Sequence, residues 1–233
     1  MRNLHGLEAL AARFAHITAT AGGAARGVQL RYSIRAAAAA GARTTVRVYG
    51  TIGDTWWDDG VTAAAFAQEL DSIGPDGIDL HLNSGGGSVF DAIAMHAALV
   101  NHPSDVTTYV DGIAASAASF LAMAGDEVVI EKPARMMIHN ASGVVLGNAA
   151  DMREMADVLE GLDATIAQIY ADRSGRPAAE FAAAMSRETW YTSADAVAAG
   201  LADRVANDRA AAPADRARET AIRARARQTL GRG

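Results

Sequence analysis

The chain repeats one short pattern, in which a strand-like apolar run passes through small residues into a helix-like segment. IDLHLN (residues 78–83) leads through three glycines into such a segment, and VTTYV (residues 106–110) leads through GIAAS into another. An alternating strand pattern at residues 45–52 and a helical pattern at residues 61–73 precede them. Because neighbouring parallel strands need a crossover, which is usually a helix, this order predicts an α/β fold with a parallel sheet.

A serine stands at the second of these junctions. Ser116 follows the strand-like run and precedes the alanine-rich helical stretch AASFLA. A strand-to-helix junction lifts a side chain out of the chain and directs backbone N–H groups and the positive end of the helix dipole toward whatever that side chain attacks. The pattern therefore suits a serine nucleophile, and a helix-capping or packing serine is the structural alternative.

The first junction is the glycine stretch SGGGSV, residues 84–89. We predict a turn there, because consecutive glycines leave backbone N–H groups bare and able to hold an oxyanion or a phosphate. No lysine follows at the spacing of a phosphate-binding loop, and the glycines lack dinucleotide-binding spacing. The stretch thus favours an oxyanion site.

Six histidines occur in the chain, and only His139 lies at the end of an apolar strand-like run (RMMIH) soon after the serine helix. A general base must come within hydrogen-bond reach of the nucleophile, and this position would allow it. A strand-end histidine often has only a structural role. Together with the two junctions, however, it favours a serine–histidine pair.

Composition excludes several other kinds of site. The chain has 233 residues, half of them apolar, and no cysteine, so it can form no disulfide, thiolate metal site or cysteine nucleophile. No apolar run reaches the length of a membrane span, and no signal peptide opens the sequence. We expect a soluble, cytoplasmic protein with one core, no metal and no cofactor.

Charge divides the chain into three parts. Residues 1–44 carry a net charge of +5 and residues 206–233 carry +4, which leaves −15 on the middle of a chain whose total is −6. We predict a loosely ordered basic leader (1–44) with an amphipathic helix at residues 7–17, a folded body (45–205), and an Ala/Arg-rich tail (206–233) that is disordered or a frayed helix. The basic ends are either solvated or dock on an acidic partner or nucleic acid.

Four motifs in register resemble one enzyme family. NSGGGSVFDAIAMHAAL, DGIAASAASFLAMAGD, RMMIHNA and ETWYTSADAVAAGLAD occur in the order and at about the spacing of the proteolytic subunit of Clp protease, and more closely of its phage-type relatives, the head maturation (prohead) proteases. The resemblance covers residues 46–205. It implies a ClpP/crotonase-type fold of repeated β-β-α units with a protruding long helix, for which the helical pattern of residues 148–170 is the candidate.

The resemblance also assigns roles to residues. Ser116 matches the nucleophile, His139 the general base, and Gly86 and Ala117 the backbone donors of the oxyanion hole. Gly85 replaces the family's proline. Ser186 stands where an aspartate usually completes the triad, and Glu188 is the nearest acid. The third triad member therefore stays open between Glu188, a serine and a water molecule.

The function implied is peptide-bond hydrolysis through an acyl-enzyme by a homo-oligomeric ring, which the long helix would join to a second ring. We expect a phage head maturation protease acting on scaffold or coat proteins in a bacterial host cell, with polypeptides rather than nucleic acid or membrane as partners. The alternatives are a Clp-type subunit that serves an ATP-dependent unfoldase, a crotonase-like acyl-CoA hydratase or isomerase, and an inactive ring-forming subunit.

Overall fold

The computed structural model describes residues 18–20, 33–35, 42–54, 60–74 and 76–206, which form one sheet with helices packed on it. The strands in this part of the chain are β1 (Thr18–Thr20), β2 (Ser33–Arg35), β3 (Thr44–Ile52), β4 (Ile78–Ser88), β5 (Val106–Ala115), β6 (Glu127–Ile130), β7 (Arg135–Ile138), β8 (Thr189–Thr192) and β9 (Arg204–Val205). The helices are α1 (Ala63–Leu70), α2 (Val89–Val100), α3 (Ala117–Ala122), α4 (Ala149–Ser174), α5 (Ala178–Met185) and α6 (Ser193–Ala198).

The centre of the sheet is parallel, as the sequence predicts. The main path runs β2-β3-β4-β5-β6-β9, and a helix connects each pair of successive strands from β3 to β6. β3, β4, β5 and β6 pair in parallel, whereas β2 is antiparallel to β3. β7 pairs with the far end of β5 and carries β8 on its other side. The α/β prediction is therefore confirmed.

One face of the central strands forms the core. Alternate residues are buried because side chains along a strand point to opposite faces in turn. The buried strand residues include Val46, Val48, Leu80, Leu82 and Val110, and the helices add Phe66, Leu70, Met95, Leu99 and Leu121.

The opposite face of the same strands is polar and only partly buried. The His81 ring stacks on Tyr109 with 4.8 Å between ring centroids, and His81 Nδ1 lies 2.9 Å from Asp111 Oδ2. Tyr49 OH donates to the same carboxylate, and burial together with Asp111 raises the pKa of Tyr49 to about 12. Parallel sheets are normally covered on both faces. A partly exposed polar face is therefore unusual for this architecture.

The predicted glycine turn after residue 83 is wrong, because β4 continues through the glycines to Ser88. Two strands hold this extension. β1 pairs with it in antiparallel register (Thr20 opposite Gly86), and β3 pairs with it in parallel, with Ile52 opposite Gly87. Gly86 has φ +99°, which other residues rarely adopt. The glycines thus form an irregular strand end rather than a loop.

The predicted leader contributes two strands to the sheet. β1 and β2 both lie within residues 1–44, and β2 pairs with β3. The helix predicted at residues 7–17 lies outside the described residues, as does the predicted tail beyond residue 206. The division into leader, body and tail stays a prediction.

α4 is the longest helix in the described part of the chain and is buried over only half of its length. Asn148 caps its start in a capping box with Asp151, and it ends at Gly175 with φ +71°. Within residues 149–161 only Met155 is buried, whereas the second half buries Leu162, Ile166 and Tyr170 among other residues. The first half therefore projects from the subunit. Within the described residues, no helix combines the length and apolarity that a bilayer span requires.

Candidate active site

Ser116 occupies the junction between β5 and α3 in a strained backbone conformation. Its φ of +54° and ψ of −124° lie outside the regions that non-glycine residues favour, a conformation that costs about 1–3 kcal/mol and persists only where the surroundings enforce it. The surroundings do enforce it, because Ser116 N–H donates to Met137 O at 2.9 Å and Ala117 begins the helix at once. Such strain is typical of functional positions.

His139 reaches Ser116 because β7 runs beside the end of β5. Ala115 is paired with Met137 in parallel register, so the residue that follows β7 lies next to the serine. His139 Nε2 is 2.7 Å from Ser116 Oγ. The two residues that the sequence singled out are 23 positions apart and lie in direct hydrogen-bond contact.

The surroundings of His139 favour its neutral form. Burial lowers the pKa of His139 below its ordinary value of 6.5, while the negative charges of Glu188 and Asp163 act in the opposite direction. A neutral imidazole can accept a proton on Nε2. The contact between Nε2 and the serine hydroxyl is therefore the one a general base needs.

Gly86 packs directly against the serine. A Cβ atom built on Gly86 would lie 2.8 Å from Ser116 Cβ and 2.9 Å from Ala117 N, closer than real Cβ contacts allow. The structure thus places both predicted oxyanion donors beside the nucleophile. The N–H of Gly86 donates to Ser84 Oγ at 3.1 Å, so it would have to turn from that hydroxyl or share its hydrogen to hold a substrate oxyanion.

Of the two residues weighed for the third triad position, only Glu188 lies opposite His139 and acts on its charge. Ser186 is exposed, and its hydroxyl donates to Ala183 O at 3.0 Å, within its own helix end. Glu188 lies one step beyond the β7–β8 ladder, opposite His139, but it is exposed and accepts from Trp190 Nε1 at 3.2 Å. Its φ of +48° is also strained.

The structure adds an acid that sequence reasoning missed, Asp163 on α4. It is half-buried, and its Oδ1 accepts from Ala141 N at 2.7 Å, two residues after His139. Burial raises the pKa of Asp163, while the Ala141 N–H and the charge of His139 lower it. Asp163 follows Ala141 by 22 residues, and no local spacing in the sequence links the two.

A buried chain of hydroxyls lies behind the nucleophile. Ser119 Oγ donates to Ser116 O, and Tyr170 OH donates to Ser119 Oγ at 2.7 Å. Tyr170 and Ser119 are fully buried, and burial raises the pKa of the tyrosine. The chain ties α4 to the first turn of α3 and so to the backbone of Ser116.

Comparison with known proteins points to one protein family. The model of the family described as Clp protease matches residues 37–209, which begins within the predicted leader. The chain is 32% identical over 130 residues to the ATP-dependent Clp protease proteolytic subunit 1 of Mycobacterium tuberculosis and 33% identical over 130 residues to subunit 2 of Corynebacterium glutamicum. Each match covers 55% of this chain and 65% of the relative's length.

A solved structure shares the fold. The chain is similar to a ClpP1 point mutant from Listeria monocytogenes, with a TM-score of 0.60 and 22% identity over 71% of this chain and 92% of that one. The ClpP-type arrangement of strands and helices expected from the sequence is therefore confirmed.

Proposed function

The chain belongs to the Clp protease family, and from this premise we propose that it is a serine endopeptidase that hydrolyses polypeptides through an acyl-enzyme. The observation that carries the proposal is the 2.7 Å contact between His139 Nε2 and Ser116 Oγ at a strained strand-to-helix junction. Nucleophile and base in direct contact, next to backbone donors, are what acyl transfer requires.

In the proposed reaction, Ser116 Oγ attacks the scissile carbonyl carbon while its proton passes to His139 Nε2. The C=O bond becomes a C–O⁻ bond, and the Ala117 and Gly86 N–H groups beside the serine stabilise that oxyanion. His139 then donates its proton to the leaving amine as the C–N bond breaks. Water repeats the sequence on the ester, with His139 as base, and releases the second product.

Substitution of the pair tests this mechanism. Because the two residues act as one unit, Ser116→Ala and His139→Ala should each remove nearly all hydrolysis of a fluorogenic peptide, and the double variant should be little worse than either. The measurement is kcat/KM for the wild type and the three variants, with circular dichroism to show that each folds. Losses that multiply in the double variant would mean that the residues work separately.

A crotonase-like hydratase or isomerase would use the same fold with an acidic catalytic residue and no serine nucleophile. The contact between Ser116 and His139 favours the peptidase. Turnover of an enoyl-CoA ester that survives Ser116→Ala, without peptide hydrolysis, would favour the crotonase-type function instead. An inactive ring-forming subunit would show neither activity.

We also propose that the subunits assemble into rings. The polar sheet face around His81 and Asp111 leaves 25% and 26% of these side chains exposed within one subunit, and exposed apolar residues lie before and within the projecting half of α4. Val144 and Leu146 expose 73% and 94% of their surface, and Met152 exposes 52%. Large exposed aliphatic side chains close together mark a protein contact. In the ring hypothesis they contact a second subunit.

For the biological setting we propose maturation of a phage head, in which scaffold or coat proteins are the substrates. The support is the charge distribution, with basic ends of +5 and +4 on an acidic body, which suits binding to an acidic assembly partner. The rival setting is ATP-dependent proteolysis, which the names of the relatives above state for those proteins, with an unfoldase feeding this chain. Digestion of an unfolded scaffold-like protein without any ATPase would support the first setting. Dependence of all protein degradation on a Clp ATPase and ATP would support the second.

A further inference from the structure

We propose that β1 is an intramolecular inhibitor, which occupies the edge of β4 that a peptide substrate needs beside the nucleophile. The inference rests on the proposed serine peptidase function. The observation that carries it is the antiparallel pairing of β1 with the glycine end of β4, where Thr20 lies opposite Gly86. Gly86 is the proposed oxyanion donor that packs against Ser116.

The two edges of β4 show on which side β1 lies. β3 pairs with one edge of β4 up to Gly87, and β5 pairs with the other edge as far as Ser84. β1 pairs with residues 86–88. Because β3 already holds one edge at Gly86 and Gly87, β1 must lie on the edge that β5 leaves. β1 therefore continues the line of β5, and Ser116, which follows β5 directly, lies where the two strands meet.

A peptide substrate needs the same place. Its scissile carbonyl group must reach Ser116 Oγ and the N–H groups of Gly86 and Ala117 together, so its main chain has to pass along the edge of β4 that faces the serine. An added strand at an open sheet edge is a common way to hold an extended peptide. The opposite edge is closed by β3. β1 and a substrate strand therefore exclude each other.

The register directs β1 toward the nucleophile. Thr18 lies opposite Ser88 and Thr20 opposite Gly86, so the chain runs toward Ser116. The strand is only three residues long, which is the lower end of the usual range, so a longer substrate strand can displace it. A protein whose binding site is open for only a fraction of the time shows a KM raised by the inverse of that fraction. We thus expect β1 to raise KM and to leave kcat unchanged.

One variant of the full chain should release β1. Ala19→Pro removes an N–H group from the middle of this strand, and proline is not tolerated at paired strand positions. KM for a fluorogenic peptide should fall about threefold or more, with kcat within about twofold of wild type. Ser33→Pro is the matched control, because Ser33 begins β2, which pairs with β3 instead of β4. Its KM should stay within about twofold of wild type.

A disulfide can lock β1 in place, because the chain has no cysteine of its own. Thr18 and Ser88 are directly opposed, and the Cα atoms of such antiparallel partners lie about 4.5–5.5 Å apart, within the span of a disulfide. In the variant with Thr18→Cys and Ser88→Cys, oxidation should lower kcat/KM by about tenfold or more, and reduction should restore it. Ser88→Cys alone is the control, since it loses the same hydroxyl that caps α2. Intact mass shows the bond and the presence of the leader.

Peptide binding gives a readout that does not depend on hydrolysis. The probe is a fluorescent peptide with the sequence of residues 14–26, and the protein carries Ser116→Ala. The peptide should bind about threefold or more tightly when Ala19→Pro is added to the protein, and about tenfold more weakly to the oxidised disulfide variant than to its reduced form. The same peptide carrying Ala19→Pro is the control probe, which should bind poorly to every form.

The outcomes separate this proposal from the peptidase proposal. A disulfide that does not form, or that forms without changing kcat/KM and peptide binding, would overturn the role of β1. An Ala19→Pro chain with the KM and peptide affinity of the wild type would do the same. If no form of the chain hydrolysed peptide, the peptidase proposal would fail, and the binding measurements would still decide whether β1 occupies the edge of β4.

Discussion

Ser116 and His139 illustrate how far single residues could be predicted from the sequence. The serine followed from its position between an apolar run and an alanine-rich helix, and the histidine from its position at a strand end. The structure places them 2.7 Å apart. The contact of Asp163 with Ala141 N could not be predicted, because it arises from the packing of α4 on the segment that follows β7 and not from any local pattern.

The electrostatics of His139 predict the acid limb of the pH profile. Burial lowers the pKa of the imidazole below 6.5, and only the neutral form can accept the serine proton. Activity should therefore be fully present above pH 6.5 and be lost as the pH falls through the lowered pKa. The measurement is kcat/KM of peptide hydrolysis against pH. A half-maximal point well above the ordinary value of 6.5 would show that the free histidine is not buried in this way or is not the base.

The glycines beside the serine give a matched pair of substitutions. Gly86→Ala should abolish activity, because its Cβ would lie 2.8 Å from Ser116 Cβ and from Ala115 O, on a backbone with φ +99°. Gly85→Ala should keep near wild-type activity, since a Cβ there meets nothing within 4 Å. Peptide hydrolysis and thermal unfolding of both variants check this. Equal losses in the two variants would mean that the close approach to Ser116 is unimportant.

At the scale of elements, local patterns predicted most helices and strands but missed those formed by distant pairing. Asn148, at which the helical pattern of residues 148–170 begins, caps the start of α4 in the structure. The strand through Gly86 was missed because its pairing partner, β1, lies far earlier in the chain. The helical pattern of residues 148–170 predicts one continuous helix, and burial is concentrated in the second half of α4, where Tyr170 contacts Ser119 of α3 and Phe181 of α5.

The hydroxyl chain between α4 and α3 predicts a stability effect. Tyr170→Phe keeps the buried ring but removes the O–H that donates to Ser119 Oγ, which should lower the free energy of unfolding by about 1 kcal/mol. Because Ser119 would still donate to Ser116 O, activity should fall only a few-fold. Tyr191→Phe, at a tyrosine that is only partly buried, is the control. Chemical unfolding measures the difference, and equal stability in the two variants would show that the Tyr170 hydroxyl adds nothing.

At the scale of the whole molecule, the fold class could be predicted from the repeated strand–helix order. Which residues share an exposed surface could not be predicted in this way. Nothing local reveals that His81, Tyr109 and Asp111 share one partly exposed face, since they come from two strands brought together by parallel pairing. Likewise, the long helix is expected to join a second ring, and Leu159 and Leu162 are the aliphatic residues of it that suggest such a contact, but Leu162 is buried within its own subunit and Leu159 packs partly against the same core. The exposed apolar residues near that helix are instead Val144, Leu146 and Met152.

These residues predict the assembly state. Replacing Val144 and Leu146 with Asp should break the assembly into single rings or smaller species, because charges buried at an apolar interface are costly. The subunit fold should survive, since both side chains are exposed. Val100→Asp, at an aliphatic residue of α2 that is 55% exposed, is the control. Light scattering at micromolar concentration gives the mass, and a monomeric wild type would contradict the ring proposal.

The most direct test of the central claim is covalent labelling of the nucleophile. The wild-type chain treated with a fluorophosphonate should gain one adduct per subunit by intact mass, and peptide mapping should place it on Ser116. Labelling should be lost in Ser116→Ala and strongly slowed in His139→Ala, because the hydroxyl reacts only when a base accepts its proton. No adduct on the folded wild type, or an adduct on another serine that persists in Ser116→Ala, would contradict the account.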